Sequence, residues 1–332
     1  MTVSNVIRDR AGQMGEETRV RVLAAIHALD YVPVRTAAQN RHVATNAIGV
    51  VFLQEMQGAV GYPTFLGMCS RAKQTDHDLT IFLRSEPDWV KPGTEAQFLD
   101  RRCDGFIFVG ENRPEISEAL VRHRVPVVEC YSVNPPAGVA RVLGDNADGM
   151  HKAVKHLVSL GHQRIAHIAG PQDDLEAVER REGFREAMQR AGLPAYADCI
   201  MQADSWGDFW GLGAGNDGAE TRPVAEAALK LDVTAVVCAN DLFALALWRL
   251  AEEQGLCVPQ DLSIIGVDNI VEGMHRGLTS VALPFEQIGR TAVDALLVLL
   301  EGGKETDASA VLPTELVQRR STARPFALLH GS

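Results

Sequence analysis

The chain has 332 residues, 46% of them hydrophobic and 23% charged, and carries a formal net charge of −11. That length suits one large or two ordinary domains with full cores, and the composition is that of a soluble globular protein. No apolar run nears the ~18 residues of a membrane span. No signal peptide precedes the first charges, and an acidic body repels nucleic acid over most of its surface.

The first stretch, MTVSNVIRDRAGQMGEETRVRVLAAIHALDYVP, departs from that acidity. Residues 1–46 hold six arginines against four acids, a balance of +2 that leaves −13 for the rest, so any DNA contact belongs here. Val3, Val6 and Ile7 repeat at helical spacing with no capped helix before them. A second helix then opens with Glu16, Glu17 and Thr18 in its first turn. Val20, Val22, Leu23, Ile26 and Leu29 form its apolar stripe, and Pro33 ends it.

From Ile48 onward short apolar runs alternate with helical periods. The strand candidates are AIGVVFL (47–53), LTIFL (79–83), GFIFVG (105–110), PVVEC (126–130), RIAHIAG (164–170), AVVCA (235–239) and SIIGVD (263–268). Helices are predicted over 64–75, 94–103, 115–123, 147–160, 175–192, 220–230 and 241–255. Buried strands separated by helices specify right-handed parallel βαβ units, and six or more of them divide into two lobes. The fold class is therefore α/β with two parallel sheets, and ligands of such sheets bind beyond the carboxyl ends of the strands.

Residues at those ends are the informative ones. CANDLFALA sets Asn240 and Asp241 directly after a buried strand, where both helix capping and ligand contact fit. IIGVDN does the same for Asp268 and Asn269, with no obvious helix close behind Asp268. Other patterns carry less. Six dispersed cysteines without a CxxC pair read as reduced, mostly buried residues of a cytoplasmic protein. His151, His156, His162 and His167 have spacings that suit no helical metal pair. GLGAGNDG (211–218) does not follow a strand as a dinucleotide loop must, and reads as surface loop. No nucleophile–base constellation emerges around a Ser or Cys, so no cofactor, metal or catalytic residue is expected.

Several longer segments resemble the lactose-repressor/galactose-repressor transcription regulators. They are GDNADGMHKAVKHLVSLGHQRIAHIAGP (144–171), RREGFREAM (180–188), AVVCANDLFALALWRLAEEQGLCVPQDLSIIGVDN (235–269), LTSVALPFEQIGRTAVDALLVLL (278–300) and LPTELVQRRST (312–322), in family order and spacing. The resemblance implies two periplasmic-binding-protein-like lobes joined by three crossovers, here near Asp145, Leu283 and Val311. A helix-turn-helix headpiece and a hinge helix precede them. The implied boundaries are a partial headpiece over 1–33, a hinge over 34–46, one lobe over 47–144 plus 284–310, a second over 145–283 plus 311–325, and a tail over 326–332.

It also implies a function: a DNA-binding regulator, usually a repressor, that acts as a homodimer or tetramer. A small effector in the interlobe cleft changes its operator affinity. TVSNVIR matches the recognition helix, with Thr2, Ser4, Asn5 and Arg8 as DNA contacts, while the family's first helix and turn have no counterpart in the chain. The family hinge, roughly YRPNxxARxL, reads YVPVRTAAQN here. Asn40 replaces the leucine that wedges into the minor groove, so weaker DNA bending is expected. A cytoplasmic small-molecule binder that has lost DNA binding is the alternative. For the pocket the resemblance implies Trp206 as aromatic platform, Arg180 as a grip on a hydroxyl or carboxylate, and Asn240 and Asp268 as polar contacts. Tyr131 and Tyr62 are added from the first lobe. Val178, Tyr131 and Leu283 stand where family members often carry arginine, aspartate and glutamine. A modified sugar, a sugar acid or another small metabolite is therefore open as the effector.

Overall fold

The computed structural model describes residues 16–28, 45–53, 58–84, 94–100, 102–110, 114–194, 199–206 and 221–325. Helix α1 (Glu16–Ala28) comes first, followed by β1 (Ala47–Leu53), α2 (Gly61–Gln74), β2 (Asp78–Arg84), β3 (Gly105–Val109), α3 (Pro114–Arg122), β4 (Val127–Cys130) and β5 (Ala140–Gly144). The second half runs α4 (Asn146–Leu160), β6 (Ile165–Ala169), α5 (Leu175–Arg190), β7 (Ile200–Gln202), α6 (Arg222–Leu229), β8 (Ala235–Cys238), α7 (Asp241–Glu253), β9 (Ser263–Val267), α8 (Val271–Arg276) and β10 (Thr279–Ala282). Helix α9 (Phe285–Leu300), the short α10 (Glu305–Ala308), β11 (Ala310–Leu312) and β12 (Glu315–Val317) close it.

Two six-stranded sheets result, ordered β11-β5-β4-β3-β1-β2 and β12-β10-β9-β8-β6-β7. The β10–β12 pair is antiparallel, whereas pairs such as β1–β3 and β6–β8 are parallel. Period-two alternation sends successive side chains of one strand to opposite faces, and both faces are covered. In β1, Ile48, Val50 and Phe52 enter a core that continues under α9, α4 and α5, while Val51 enters a second core. That second core is built on Phe82, Phe98, Phe106 and Phe108, whose rings meet edge to face. A third core packs α6 and α7 on the other face of the second sheet. No described helix is long and apolar enough to cross a membrane.

The chain passes between the sheets three times. It leaves β5 at Asp145, whose carboxylate caps α4 by accepting the Asp148 N–H at 2.9 Å. It returns at Leu283–Pro284, between β10 and α9. The third passage falls at Pro313–Thr314 rather than Val311, because Ala310–Leu312 still pair with β5 of the first sheet. The helix expected over 94–103 is instead one 3-10 turn, Thr94–Gln97. Buried Asp100 accepts the Arg102 N–H at 3.3 Å and pairs with its guanidinium at 2.6 Å, a local turn that competes with helix propagation. Val20, on the predicted apolar stripe of α1, is 57% exposed. Thr2, Ser4, Asn5, Arg8, the hinge over 34–44, the loop over 211–218 and the tail over 326–332 lie outside the described residues.

Helices α2 and α9 cross at two glycines. A Cβ on Gly289 would lie 1.9 Å from the Thr64 carbonyl oxygen, and one on Gly67 would lie 2.0 Å from that of Glu286. Backbone cannot yield as a flexible side chain can, so the two helices must part to admit even a methyl group. Gly289→Ala is therefore expected to lower stability by about 1–3 kcal/mol in urea denaturation, against almost no change for the exposed Gln287→Ala.

Candidate functional site

In each sheet the strand order reverses beside one strand: β1 lies between β2 and β3, and β6 lies between β7 and β8. Parallel sheets open a crevice at such points, at the carboxyl ends of the strands. The second sheet fills that region with chemistry. Gly170 ends β6 and Asp174 caps α5, accepting the Ala177 N–H at 2.9 Å. Trp206 follows β7, and its indole N–H donates to Asp174 Oδ2 at 2.8 Å. The ring packs so closely on Gly170 that a Cβ there would come within 2.7 Å of it. Asn240 follows β8, where its Oδ1 accepts the Phe243 N–H at 2.8 Å and caps α7. Its Nδ2 donates to the Trp206 carbonyl at 2.9 Å.

Arg180 ties these parts together. Its side chain is 6% exposed, and Nε donates to Asn146 Oδ1 at 2.9 Å and Nη1 to the Ala239 carbonyl at 2.6 Å. The guanidinium lies 5.2 Å from the centre of the Trp206 ring and 3.7 Å from Asp268 Oδ1. Asp268 and Asn269 adopt φ of +101° and +57°, a region that non-glycine residues rarely enter unless the surroundings hold them. Those surroundings are explicit. The Asp268 N–H donates to the Val281 carbonyl at 2.9 Å, the Asn269 N–H to Ser280 Oγ at 3.0 Å, and the Ile270 N–H to Asp241 Oδ2 at 2.8 Å. Arg319 Nη2 donates to Asn269 Oδ1 at 2.6 Å.

Residues 154–322 match the model of the periplasmic binding protein-like domain. The regulator CelR of Thermobifida fusca is 30% identical over 96% of this chain and 94% of its own length. The regulator DegA of Bacillus subtilis is 29% identical over 97% of this chain and 94% of its own. A solved CelR–cellobiose complex superposes with a TM-score of 0.71 at 27% identity, covering 96% of this chain and 94% of that one. The lac repressor dimer bound to operator and an anti-inducer gives 0.69 at 27% identity, covering 97% and 94%. The chain belongs to the lactose-repressor/galactose-repressor family.

In this family member four of the six predicted pocket residues, Trp206, Arg180, Asn240 and Asp268, meet in one cluster. Both ends of the Asn240 side chain are engaged within the protein, so it holds the Trp206 backbone rather than presenting a free amide. Tyr131 stands at the carboxyl end of β4 in the other lobe, buried, with its hydroxyl 2.5 Å from Thr64 Oγ1. Burial pushes its phenol well above the usual range. Tyr62 is 61% exposed and shares a cavity with Asp268 of the cluster but not with Trp206, Arg180 or Asn240. It lines an interlobe cavity of about 620 Å³ with Asp268, Val271, Met274, Leu283 and Phe285.

Asp174, Glu176, Asn146 and Arg319 complete the site without having been singled out in the sequence. Glu176 lies four residues before Arg180 on α5, a spacing that puts both on one helix face. Burial pushes its carboxyl up to about 7 and that of Asp268 up to about 6, in each case against the lowering effect of Arg180. Asp241 is buried beneath them. It accepts from the Ser280 hydroxyl at 2.6 Å, and burial, with the Asp268 charge beside it, pushes it up to about 8.

All three acids bind protons more tightly folded than unfolded. The stability they contribute is complete below their unfolded pKa values, near 4, and is lost as pH rises through the folded ones. The urea midpoint is expected to fall between pH 5 and pH 8, and Asp241→Asn should remove the upper part of that fall. A wild-type slope retained in Asp241→Asn would show that the residue keeps no raised pKa.

Proposed function

We propose that the protein is an operator-binding transcriptional regulator, a repressor, whose interlobe cleft takes a small hydroxyl-rich effector of the sugar or sugar-derivative class. The observation that carries this reading is the Trp206–Arg180–Asp268 cluster at the strand ends. A partly exposed indole suits the apolar face of a sugar ring, and Arg180 and Asp268 suit its hydroxyls. The cellobiose-bound relative supports the class and leaves the individual effector open.

An effector that contacts both lobes favours one degree of closure over another. Through the residue 34–46 hinge it then shifts operator affinity, a reciprocal coupling of about 1–3 kcal/mol. Tyr62 and Leu66, one turn apart on α2, and Val271 and Met274 on α8 leave large apolar side chains 61, 40, 57 and 40% exposed. Three of these four line the same cavity, so the apolar surface spans both lobes. Such a surface suits a homodimer contact that senses closure.

Three outcomes test the proposal. A gel shift of the full protein on the DNA upstream of its own reading frame is expected to weaken steeply from 50 to 200 mM salt, and no shift at low salt sinks the DNA-binding reading. A thermal-shift screen of sugars and sugar derivatives should give a stabilising effector, an effect that Trp206→Ala and Asp268→Ala both abolish. If both variants keep it, the pocket lies elsewhere. Leu66→Glu combined with Met274→Glu should turn a dimer into a monomer in light scattering, whereas a mass unchanged from wild type removes this surface from the interface.

A further inference from the structure

We infer that the effector of this cleft carries a protonated nitrogen: it is a small hydroxylated amine, an amino sugar in the simplest case, whose ammonium group is received by Glu176 with Asp268 beside it. The inference rests on the effector-site reading above and narrows its chemistry.

Charge balance is the first argument. Asp174, Glu176 and Asp268 surround one buried cation, Arg180, and that cation already donates to Asn146 and to the Ala239 carbonyl. Its 3.7 Å approach to Asp268 Oδ1 is too long for a hydrogen bond, so it neutralises this carboxylate only in part. Asp174 has its own donors in the Trp206 indole and the Ala177 amide. Glu176 does not fare as well. Its Oε1 is fully shielded from solvent and has no hydrogen-bond partner, although Asn146 lies beside the carboxyl group. A shielded carboxylate oxygen without a partner is costly to keep, and this one lies four residues before Arg180, on the helix face that carries the cluster.

The second argument is what each ligand class would do to that deficit. A sugar acid or phosphate would bring a further negative charge against three carboxylates, with only the one buried cation, Arg180, to offset them. A neutral hexose would leave the imbalance as it stands. An ammonium group supplies three donors and the missing positive charge together. The Trp206 ring of the same cluster is electron-rich and attracts cations. Arg180 over the Trp206 ring, at 5.2 Å, is this protein's own instance of that contact. The raised carboxyl of Glu176, at about 7, agrees with a group that lacks its counter-charge in the unliganded cleft.

The test is a thermal-shift screen followed by calorimetric titration of the full-length protein at pH 7.5. The probes are matched sets: glucose, glucosamine, N-acetylglucosamine and glucuronic acid, the galactose equivalents, and small hydroxylated amines beside their deaminated counterparts. The amine member of a set is expected to bind at least tenfold more tightly than its neutral and acidic partners. Glu176→Gln, which keeps the shape and removes the charge, is expected to fold with undiminished stability and to lose that preference, binding the neutral partner as well as the amine. A neutral or acidic member that binds wild type best overturns the inference and leaves the effector-site reading intact. So does an amine whose affinity is the same in Glu176→Gln. If no small molecule in the panel binds, or binding survives Trp206→Ala and Asp268→Ala, the effector-site reading fails and this inference falls with it.

Discussion

A buried guanidinium is the constraint around which the second lobe is arranged. An arginine that is 5% exposed must have its donors satisfied and its charge partly balanced, because the desolvation penalty is several kcal/mol. Arg180 meets that requirement with parts drawn from four strand ends: Asn146 after β5, Ala239 after β8, Asp268 after β9 and the Trp206 ring after β7. Truncating it would leave Asn146 and Asp268 without their common partner and the indole without its cover. The site is thus a consequence of one residue's electrostatics, and its geometry is only as rigid as the strands that present those partners.

The strands are rigid because both sheets are covered on both faces, and the joints between them are not so constrained. At each passage the chain crosses as a single segment, and close contacts fix where it bends. Gly144 has no room for a Cβ because Leu283 of the second passage lies against it, and Gly149 meets Val281 and Thr314 in the same way. The Lys152 ammonium bridges the Asp148 carboxylate and the Thr314 carbonyl at 2.6 Å, which ties the first passage to the third. Asn146 therefore sits at the first passage while it binds both Arg180 and, at 2.9 Å, Glu179. Under the proposed reading, a ligand at the cluster would act on the linkage between lobes in part through that side chain.

Much of this was legible in the sequence, and the exceptions have physical causes. Continuous apolar runs such as AIGVVFL and SIIGVD named the central strands, since both faces of a parallel strand are buried. The edge strands Ile200–Gln202 and Ala310–Leu312 escaped because three half-exposed residues are too short for either periodicity. The interior strands Ala140–Gly144 and Thr279–Ala282 escaped because Arg141 and the Thr279–Ser280 pair break their apolar runs. The Thr94–Gln97 turn was overread as a helix because apolar spacing alone does not report that Asp100 competes for backbone donors. Trp206 and Arg180 come from the family resemblance, whereas Asp268 stands out by its place at the end of a buried strand. Glu176 was not singled out, because its meaning depends on Tyr131 and Asp268, which are distant in the chain. Asn240 was foreseen as either cap or contact, and its cap became definite only when both ends of its amide had partners.

The acids of the cleft supply energy on the scale an allosteric switch requires. Holding Glu176 near 7 instead of 4.5 corresponds to an imbalance on the order of 3 kcal/mol between its protonation states. A coupling between effector and operator sites needs about 1–3 kcal/mol. Under the proposed reading, a ligand that supplied the missing counter-charge in only one arrangement of the lobes would draw on an energy of that size. The strained Asp268–Asn269 turn lies in the same place, held by Asp241, Ser280 and Arg319 from below. Strain and unbalanced charge are both unfavourable in the unliganded cleft, and under the proposed reading a ligand offsets the charge. A ligand that does so binds one arrangement of the lobes better than the other, and that difference in affinity is the only means by which binding can move the equilibrium between them.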